Sequence, residues 1–277
     1  VKLKITTAII PVAGYGSRML PVTKAVEKYM LPILNRPIID YVVADCIKAG
    51  VSDIIFVISE GSVQLKEYYG TNNPLEAYLK NQDKSHLLPA VKAPSGVAFT
   101  YVEQPKDSKY GTAVPVALVA DLVASQQQVL VLMGDDFIYN QDGSSEISRL
   151  IKSVRTSQEA GLIGVPIPQK DVAKYGVIQA NKKGIFESIV EKPNPKKAPS
   201  NLINVSKYIL PADLIRSIAG FVKNEDLKGE YLITEPINKW VQAGGIMRVH
   251  RARGKYLDGG NPKSWLEANN FVAERSL

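Results

Sequence analysis

Two near-continuous apolar runs bracket a segment of helical period near the start of the chain, and that succession allows few folds. Residues 6–12 (TTAIIPV) and 53–59 (DIIFVIS) have the character of strands buried on both faces. Between them, residues 37–49 place apolar side chains at helical spacing, with Pro37 suited to a helix start and Gly50 to its end. Strand, helix, strand without a hairpin turn is a βαβ unit and implies a parallel sheet. Residues 97–102 and 129–133 continue the pattern as strands, with helical character over 112–123 between them.

The texture changes after Asp136. A helix is expected over 145–157, then short strands over 162–165, 176–180, 185–190 and 204–210. Helices over 233–243 and 262–273 flank strands near 246–250 and Tyr256, residues 73–88 suggest a charged helical insertion, and 194–200 (NPKKAPS) a surface loop. With 277 residues, 45% of them hydrophobic, there is material for a full core. No repeat, low-complexity tract or long linker interrupts it. The expectation is one α/β domain, 1–277, with a Rossmann-like doubly wound mixed β-sheet flanked by helices. About 1–136 would form a nucleotide-binding half and about 137–277 a half for a second substrate.

Composition narrows the chemistry by exclusion. The net charge of +7 suits phosphorylated metabolites, but the lysines are scattered, with no run of five basic residues, so no nucleic acid is expected as a partner. Cys46 is the only cysteine, which excludes an internal disulfide, and it falls on the apolar face of the first helix. His86 and His250 have no partner at metal-ligand spacing. No apolar run approaches the roughly 20 residues of a membrane helix and no signal-peptide pattern is seen, so the expected setting is cytoplasmic, without a membrane partner.

In doubly wound sheets ligands gather at the carboxyl ends of the strands. Three chemically loaded segments fall there: Gly14 onward (GYGSRMLPVTKAVEKYMLP), Gln104 to Gly111, and Asp135-Asp136. Gly14 and Gly16 let backbone amides reach a phosphate; Arg18 can fork onto phosphate oxygens, while Lys24 and Lys28 are flexible point charges. Taken alone, the two glycines fit an ordinary turn equally well. A P-loop is absent, because no Gly-Lys-Ser/Thr follows at the required spacing. A dinucleotide fingerprint is also absent, since Met19 stands where a small residue is needed and the acid at the end of the second strand, Glu60, lies more than 40 residues on. Asp135 at a strand end is a natural Mg²⁺ ligand, with Asp258 (in KYLDGGN) the candidate second acid. Turn formation or helix capping explains either acid as well when each is read singly. Lys192, in VEKP, is either a substrate contact or a solvated strand end, and Glu191 either a sugar ligand or an exposed ion-pair partner.

Together these residues resemble the sugar-1-phosphate nucleotidyltransferase family. The stretch from Gly14 to Pro32 fits its signature Gly-x-Gly-x-Arg-x-x-Pro-x-Thr-Lys-x-x-x-Lys-x-Met-Leu-Pro, and the likeness runs on through GDD, YGV, VEKP, EYLITE and LDGGN. The Thr23-Lys24-Ala25 triplet, PIIDYVVADCIKAGVSDIIFV and LEAYLK are most like the bacterial UTP–glucose-1-phosphate uridylyltransferase branch. The resemblance implies the nucleotide-diphospho-sugar transferase fold and a Mg²⁺-dependent transfer of UMP from UTP to glucose 1-phosphate. Ala13, Gly14 and Gly16 would hold the nucleotide, with Gln104 on the uracil and Gly111 against base and ribose. Arg18 and Lys28 would hold the triphosphate, and Asp135 and Asp258 the metal. Lys192 would contact the sugar phosphate, and Gly176, Glu191, Glu230 and Asp136 would line the sugar pocket. The catalytic set is then Arg18, Lys28, Asp135 and Lys192, in a homodimer or homotetramer.

The departures from that branch are Glu27-Lys28-Tyr29 for Pro-Lys-Glu, Glu103-Gln104-Pro105 for Arg-Gln-Gly, the 109–113 segment KYGTA for Gly-Leu-Gly-His-Ala, and Ser206 for a common glycine. They keep two alternatives in play: another base or sugar, such as dTTP with glucose 1-phosphate, and a non-catalytic regulatory paralogue.

Overall fold

The structure is a computed structural model that describes residues 4–106 and 109–276. Its first half runs β1 (Thr7–Val12), β2 (Pro32–Ile33), β3 (Arg36–Pro37), α1 (Ile38–Lys48), β4 (Asp53–Ser59), α2 (Gln64–Tyr68), α3 (Asn73–Asn81), α4 (Leu88–Val91), β5 (Ala98–Gln104), α5 (Val114–Leu118) and β6 (Gln128–Leu132). The second half follows as β7 (Asp136–Tyr139), α6 (Glu146–Ser153), β8 (Ala160–Pro166), β9 (Gly176–Ala180), β10 (Phe186–Glu191), β11 (Leu202–Pro211), α7 (Ala212–Asn224), α8 (Thr234–Gln242), β12 (Met247–Arg251), β13 (Lys255–Asp258) and α9 (Pro262–Ser276).

Among the described residues one mixed sheet holds nine strands. Its parallel part is ordered β6-β1-β4-β5, as the βαβ pattern requires. β11 then pairs antiparallel with β6, β8 with β11, and β12 parallel with β8. The near-continuous apolar runs are explained by burial on both faces. Ala8, Ile10, Val12, Ile54, Phe56, Leu130 and Leu132 meet α1, α6 and α9, whereas Ile9, Ile55, Val57, Val129 and Val131 meet α5, α7 and α8. Cys46 is fully buried in α1, and burial pushes its thiol pKa upward, as fits a small hydrophobe.

The order β6-β1-β4-β5 contains a reversal. From β1 the chain moves outward through β4 to β5, then returns to the other side of β1 for β6. The carboxyl ends of β1 and β6 therefore flank a crevice that the two crossovers leave open, the position where ligands enter such sheets. A separate ribbon, β7 paired antiparallel with β13, follows directly after β6 and brings Asp136 opposite Asp258.

Several boundaries differ from the sequence expectation. The helix over 112–123 is only α5; beyond it the chain continues in tight turns (Leu122 N–H to Val119 O 3.1 Å, Gln126 N–H to Val123 O 2.9 Å) that still bury Val119 and Val123. The helix over 145–157 ends at Ser153, because Val154 turns extended and enters the core. The insertion over 73–88 divides after α3, where Asp83 takes a left-handed φ of 55°. α2, β7 and α7 were not anticipated, although Leu214, Ile215, Ile218 and Phe221 make a regular apolar face on α7.

Glu146, in the first turn of α6, is a fully buried carboxylate that ties this second half together. It accepts from His250 Nε2 (2.7 Å), Arg149 Nη1 (2.8 Å), Asn140 Nδ2 (3.2 Å) and the N–H groups of Arg253 (3.1 Å) and Gly254 (3.3 Å). Burial opposes its charge, but these donors outweigh burial and hold its pKa down at about 2. With the folded value depressed, its contribution is complete above the unfolded value near 4.5 and is lost as pH falls toward 2. Glu146→Gln should therefore lower stability by about 3 kcal/mol at neutral pH. Its denaturant midpoint should also vary less than the wild type's between pH 4.5 and pH 2.

Candidate active site

The crevice between β1 and β6 is a cleft of about 560 Å³. It gathers residues from all three loaded segments: Ala13, Gly14 and Arg18 after β1, Gln104, Gly111 and Thr112 after β5, and Met133 and Asp135 after β6. Lys28 and Glu230 complete its rim. The middle segment, 104–111, includes Asp107 and Ser108, which lie outside the described residues.

The loop after β1 folds as three successive tight turns, Ser17–Met19, Val22–Lys24 and Lys28–Met30, each carrying one of the cations Arg18, Lys24 and Lys28. Gly16 makes this possible. It has φ +65°, and a Cβ there would stand 3.0 Å from Lys28 Cβ and Thr23 Cγ2. Its carbonyl accepts from Met19 N–H (2.8 Å) and Thr23 Oγ1 (2.9 Å), so Gly16 lies behind the cleft as the hinge of the loop. Glu27 does not line the cleft. Its Oε2 is buried with the Tyr29 hydroxyl and Ser62 Oγ, while Gln64 accepts from its N–H at 3.0 Å. The Glu27 carboxylate is thus kept out of the cleft, and it is the Glu27 N–H on Gln64 that fastens the turn.

Lys28 Nζ meets Asp135 Oδ2 at 2.5 Å. Burial opposes ionisation of Asp135, but the charge and hydrogen bond of Lys28, then Lys207, hold its pKa below the ordinary value. Asp258 lies beside it, since the N–H of Gly259 donates to Asp135 O at 3.0 Å. Burial raises the Asp258 pKa, with Asp135 adding to the rise; Gly260 N–H (2.7 Å) and Arg18 oppose it. Asp135 and Asp258 are thus two adjacent oxygen donors at the edge of a cationic loop. That set fits a hard divalent cation that takes its remaining ligands from phosphate and water.

The sequence expectation for Asp136 is corrected. It is buried, with one carboxylate oxygen on Lys207 and the other accepting from Tyr256 Oη at 3.0 Å, so neither oxygen is directed to a sugar. Of the other sugar-side candidates, Gly176, Glu191 and Lys192 lie together, outside the lining of the cleft that holds Glu230. Glu191 faces Gly176 across the β9–β10 pair, and Thr234 Oγ1 donates to Glu191 at 3.3 Å. Lys192 follows with a left-handed φ of 44°, its N–H bonded to Tyr175 O at 3.0 Å. Burial and then the charge of Asp258 raise the pKa of Tyr175, which links this group to the metal-type carboxylates.

Gly111 has a structural cause of its own. With φ +124°, it lies against Tyr231, whose N and O would stand 2.5 and 2.6 Å from a Cβ. Tyr231 N–H donates to Tyr110 O (2.8 Å) and its carbonyl accepts from Ala113 N–H (2.9 Å). Lys109 Nζ donates to the carbonyls of Val222 (2.5 Å) and Glu225 (2.7 Å) at the end of α7 and covers the Tyr231 ring. Sequence reasoning did not find Lys109, Tyr231, Tyr256 or Lys207. The one available signal was Lys207 placed directly before the apolar run Tyr208-Ile209-Leu210.

Residues 7–275 match the nucleotidyl transferase family, and the chain belongs to that family. A UTP–glucose-1-phosphate uridylyltransferase of Pseudomonas aeruginosa is 32% identical over 98% of this chain and 96% of its own length. Among solved structures, a UTP-bound UGPase from Acinetobacter baumannii superposes with a TM-score of 0.87 at 28% identity, covering 97% of this chain and 93% of that one. A UDP-glucose pyrophosphorylase complexed with UDP-glucose superposes with a TM-score of 0.80 at 26% identity, covering 98% and 100%.

Gly111→Ala should cost about 2–4 kcal/mol, because the added methyl group meets backbone that cannot give way. Thermal unfolding checks the cost, and nucleotide titration should show weaker binding in the protein that remains folded.

Proposed function

We propose that this enzyme transfers UMP from UTP to glucose 1-phosphate, giving UDP-glucose and pyrophosphate. The observation that carries this reading is the meeting of Arg18, Lys28 and Asp135 with Gln104 and Gly111 in one cleft at the strand-order reversal. The UTP and UDP-glucose bound by the similar structures are the two nucleotides such a site would hold in turn.

In this reading an oxygen of the glucose 1-phosphate phosphate attacks the α-phosphorus of UTP. A P–O bond forms there as the bond to the β-phosphate bridge breaks, and pyrophosphate leaves with that electron pair. The attacking oxygen is already ionised, so no general base is needed. The barrier lies in bringing two anions together in line. Arg18 and Lys28 neutralise the triphosphate, and Lys192 draws the sugar phosphate in from the β10 side. A magnesium ion held by Asp135 and Asp258 would supply further charge neutralisation on the phosphates. Gln104 reads the base, Ala13 and Gly14 offer backbone to the nucleotide, and Gly176, Glu191 and Glu230 hold the sugar. Residues 1–136 then serve the nucleotide and 137–277 the sugar phosphate. The expected dimer or tetramer is checked by sedimentation. A cytoplasmic setting goes with charged metabolites as substrates.

Pyrophosphate release should be fastest with UTP and glucose 1-phosphate, against dTTP and against galactose 1-phosphate and N-acetylglucosamine 1-phosphate. Faster release with dTTP would reassign the base, and UDP-glucose binding without turnover would reassign the protein as a regulator. Asp135→Asn should leave the fold intact but slow turnover by about 100-fold or more. Near-normal turnover in that folded variant would remove Asp135 from the metal site.

A further inference from the structure

Lys207 is 3% exposed, and its ammonium reaches the carboxylate of Asp136 and, at 3.3 Å, the Asp136 carbonyl. A local irregularity in β11 aims it there. The β11–β8 register shifts between Asn204 and Tyr208, and Ser206 takes a left-handed φ of 48°. Asn204 stabilises that turn, its Oδ1 accepting from Ser206 N–H (3.1 Å) and its Nδ2 donating to Tyr208 Oη (2.5 Å). The Ser206 carbonyl accepts from Met133 N–H at 3.3 Å, which joins the bulge to the chain leading into Asp135.

We propose that Lys207 is a positioning residue for the divalent cation: through Asp136 it fixes the β7–β13 ribbon and so sets the spacing of Asp135 and Asp258. This rests on the reading of those two acids as the metal ligands. The ribbon register places Asp258 opposite Asp136, and Asp135 is the next residue along. One lysine from the main sheet therefore grips the ribbon midway between both ligands. Tyr256 Oη holds the other Asp136 oxygen from β13 at 3.0 Å.

Charge explains why a lysine is needed there. Three carboxylates, Asp135, Asp136 and Asp258, lie on or next to one short ribbon; Asp136 is the buried one, while Asp135 lines the cleft and Asp258 is only partly buried. A lysine neutralises Asp136 and, through its carboxylate and its carbonyl, ties the ribbon to β11, a tie that removing the Asp136 charge would not replace. A buried ion pair is a weak source of stability compared with well-packed apolar side chains. The strained Ser206 backbone and the buried pair together are therefore better explained by geometry at the ligands than by stability of the fold.

The test compares Lys207→Met, Lys207→Arg and the double variant Lys207→Met with Asp136→Asn, each checked for folding by thermal unfolding. Mn²⁺ affinity is measured by electron paramagnetic resonance with UTP present and no sugar phosphate, and UTP affinity is measured separately in EDTA. Lys207→Met should weaken Mn²⁺ by about 10-fold or more while metal-free UTP affinity stays within about twofold, and Lys207→Arg should recover most of the loss. The double variant, which has no unpaired buried charge, should fold yet remain weak for Mn²⁺. Wild-type Mn²⁺ affinity in a folded Lys207→Met protein, or its restoration in the double variant, would overturn the positioning role. Failure of the wild type to form any Mn²⁺–UTP complex would overturn this inference together with the reading of the site.

Discussion

The reversal of strand order at β1 and β6 is the constraint on which the rest of the molecule depends. Parallel strands need crossovers, and the crossovers on either side of the reversal diverge, so the ends of β1 and β6 are left uncovered. Backbone there has no partner strand beyond it and must find water or ligand. The glycine loop after β1 and the acidic ribbon after β6 occupy that gap from opposite sides. Apolar side chains elsewhere on both strands are committed to two cores, one on each face, which leaves the strand ends nearly immovable.

Charge is then arranged in compensating pairs. Lys28 lies on Asp135 and Lys207 on Asp136, while Arg18 offsets only part of the burial and Asp135 charge that raise the Asp258 pKa. Such a site carries little net charge before its ligands arrive, which limits the repulsion that three neighbouring acids would otherwise store. The pairs differ in depth. Lys28 and Asp135 are partly exposed and able to exchange partners, whereas Lys207 and Asp136 are closed to water and fixed.

The βαβ start, the loaded strand ends and the glycine–arginine–lysine loop were legible because each is a local pattern with a local physical cause. β4 and β9 begin and end where the residues predicted. α7 was not anticipated, although its apolar face is regular. The placement of Asp136 was misjudged for a different reason. Its neighbour in sequence faces the cleft, and successive residues of a strand face opposite ways. That β7 begins at Asp136 depends on pairing with β13, more than a hundred residues distant, which no local pattern records. Glu27 is a similar case: the sequence shows only a carboxylate next to Lys28, and the fold buries its Oε2 near Tyr29 and Ser62.

The contact of Gly111 with Tyr231 has a mechanical result. Backbone pressed on backbone, with Lys109 anchored in the last carbonyls of α7, leaves no slack between the 109–113 loop and the 225–233 segment that carries Glu230. The two are joined along the cleft, which both Gly111 and Glu230 line. A displacement of the 109–113 loop must therefore be shared by the 225–233 segment, and these two stretches of the cleft rim shift together or not at all.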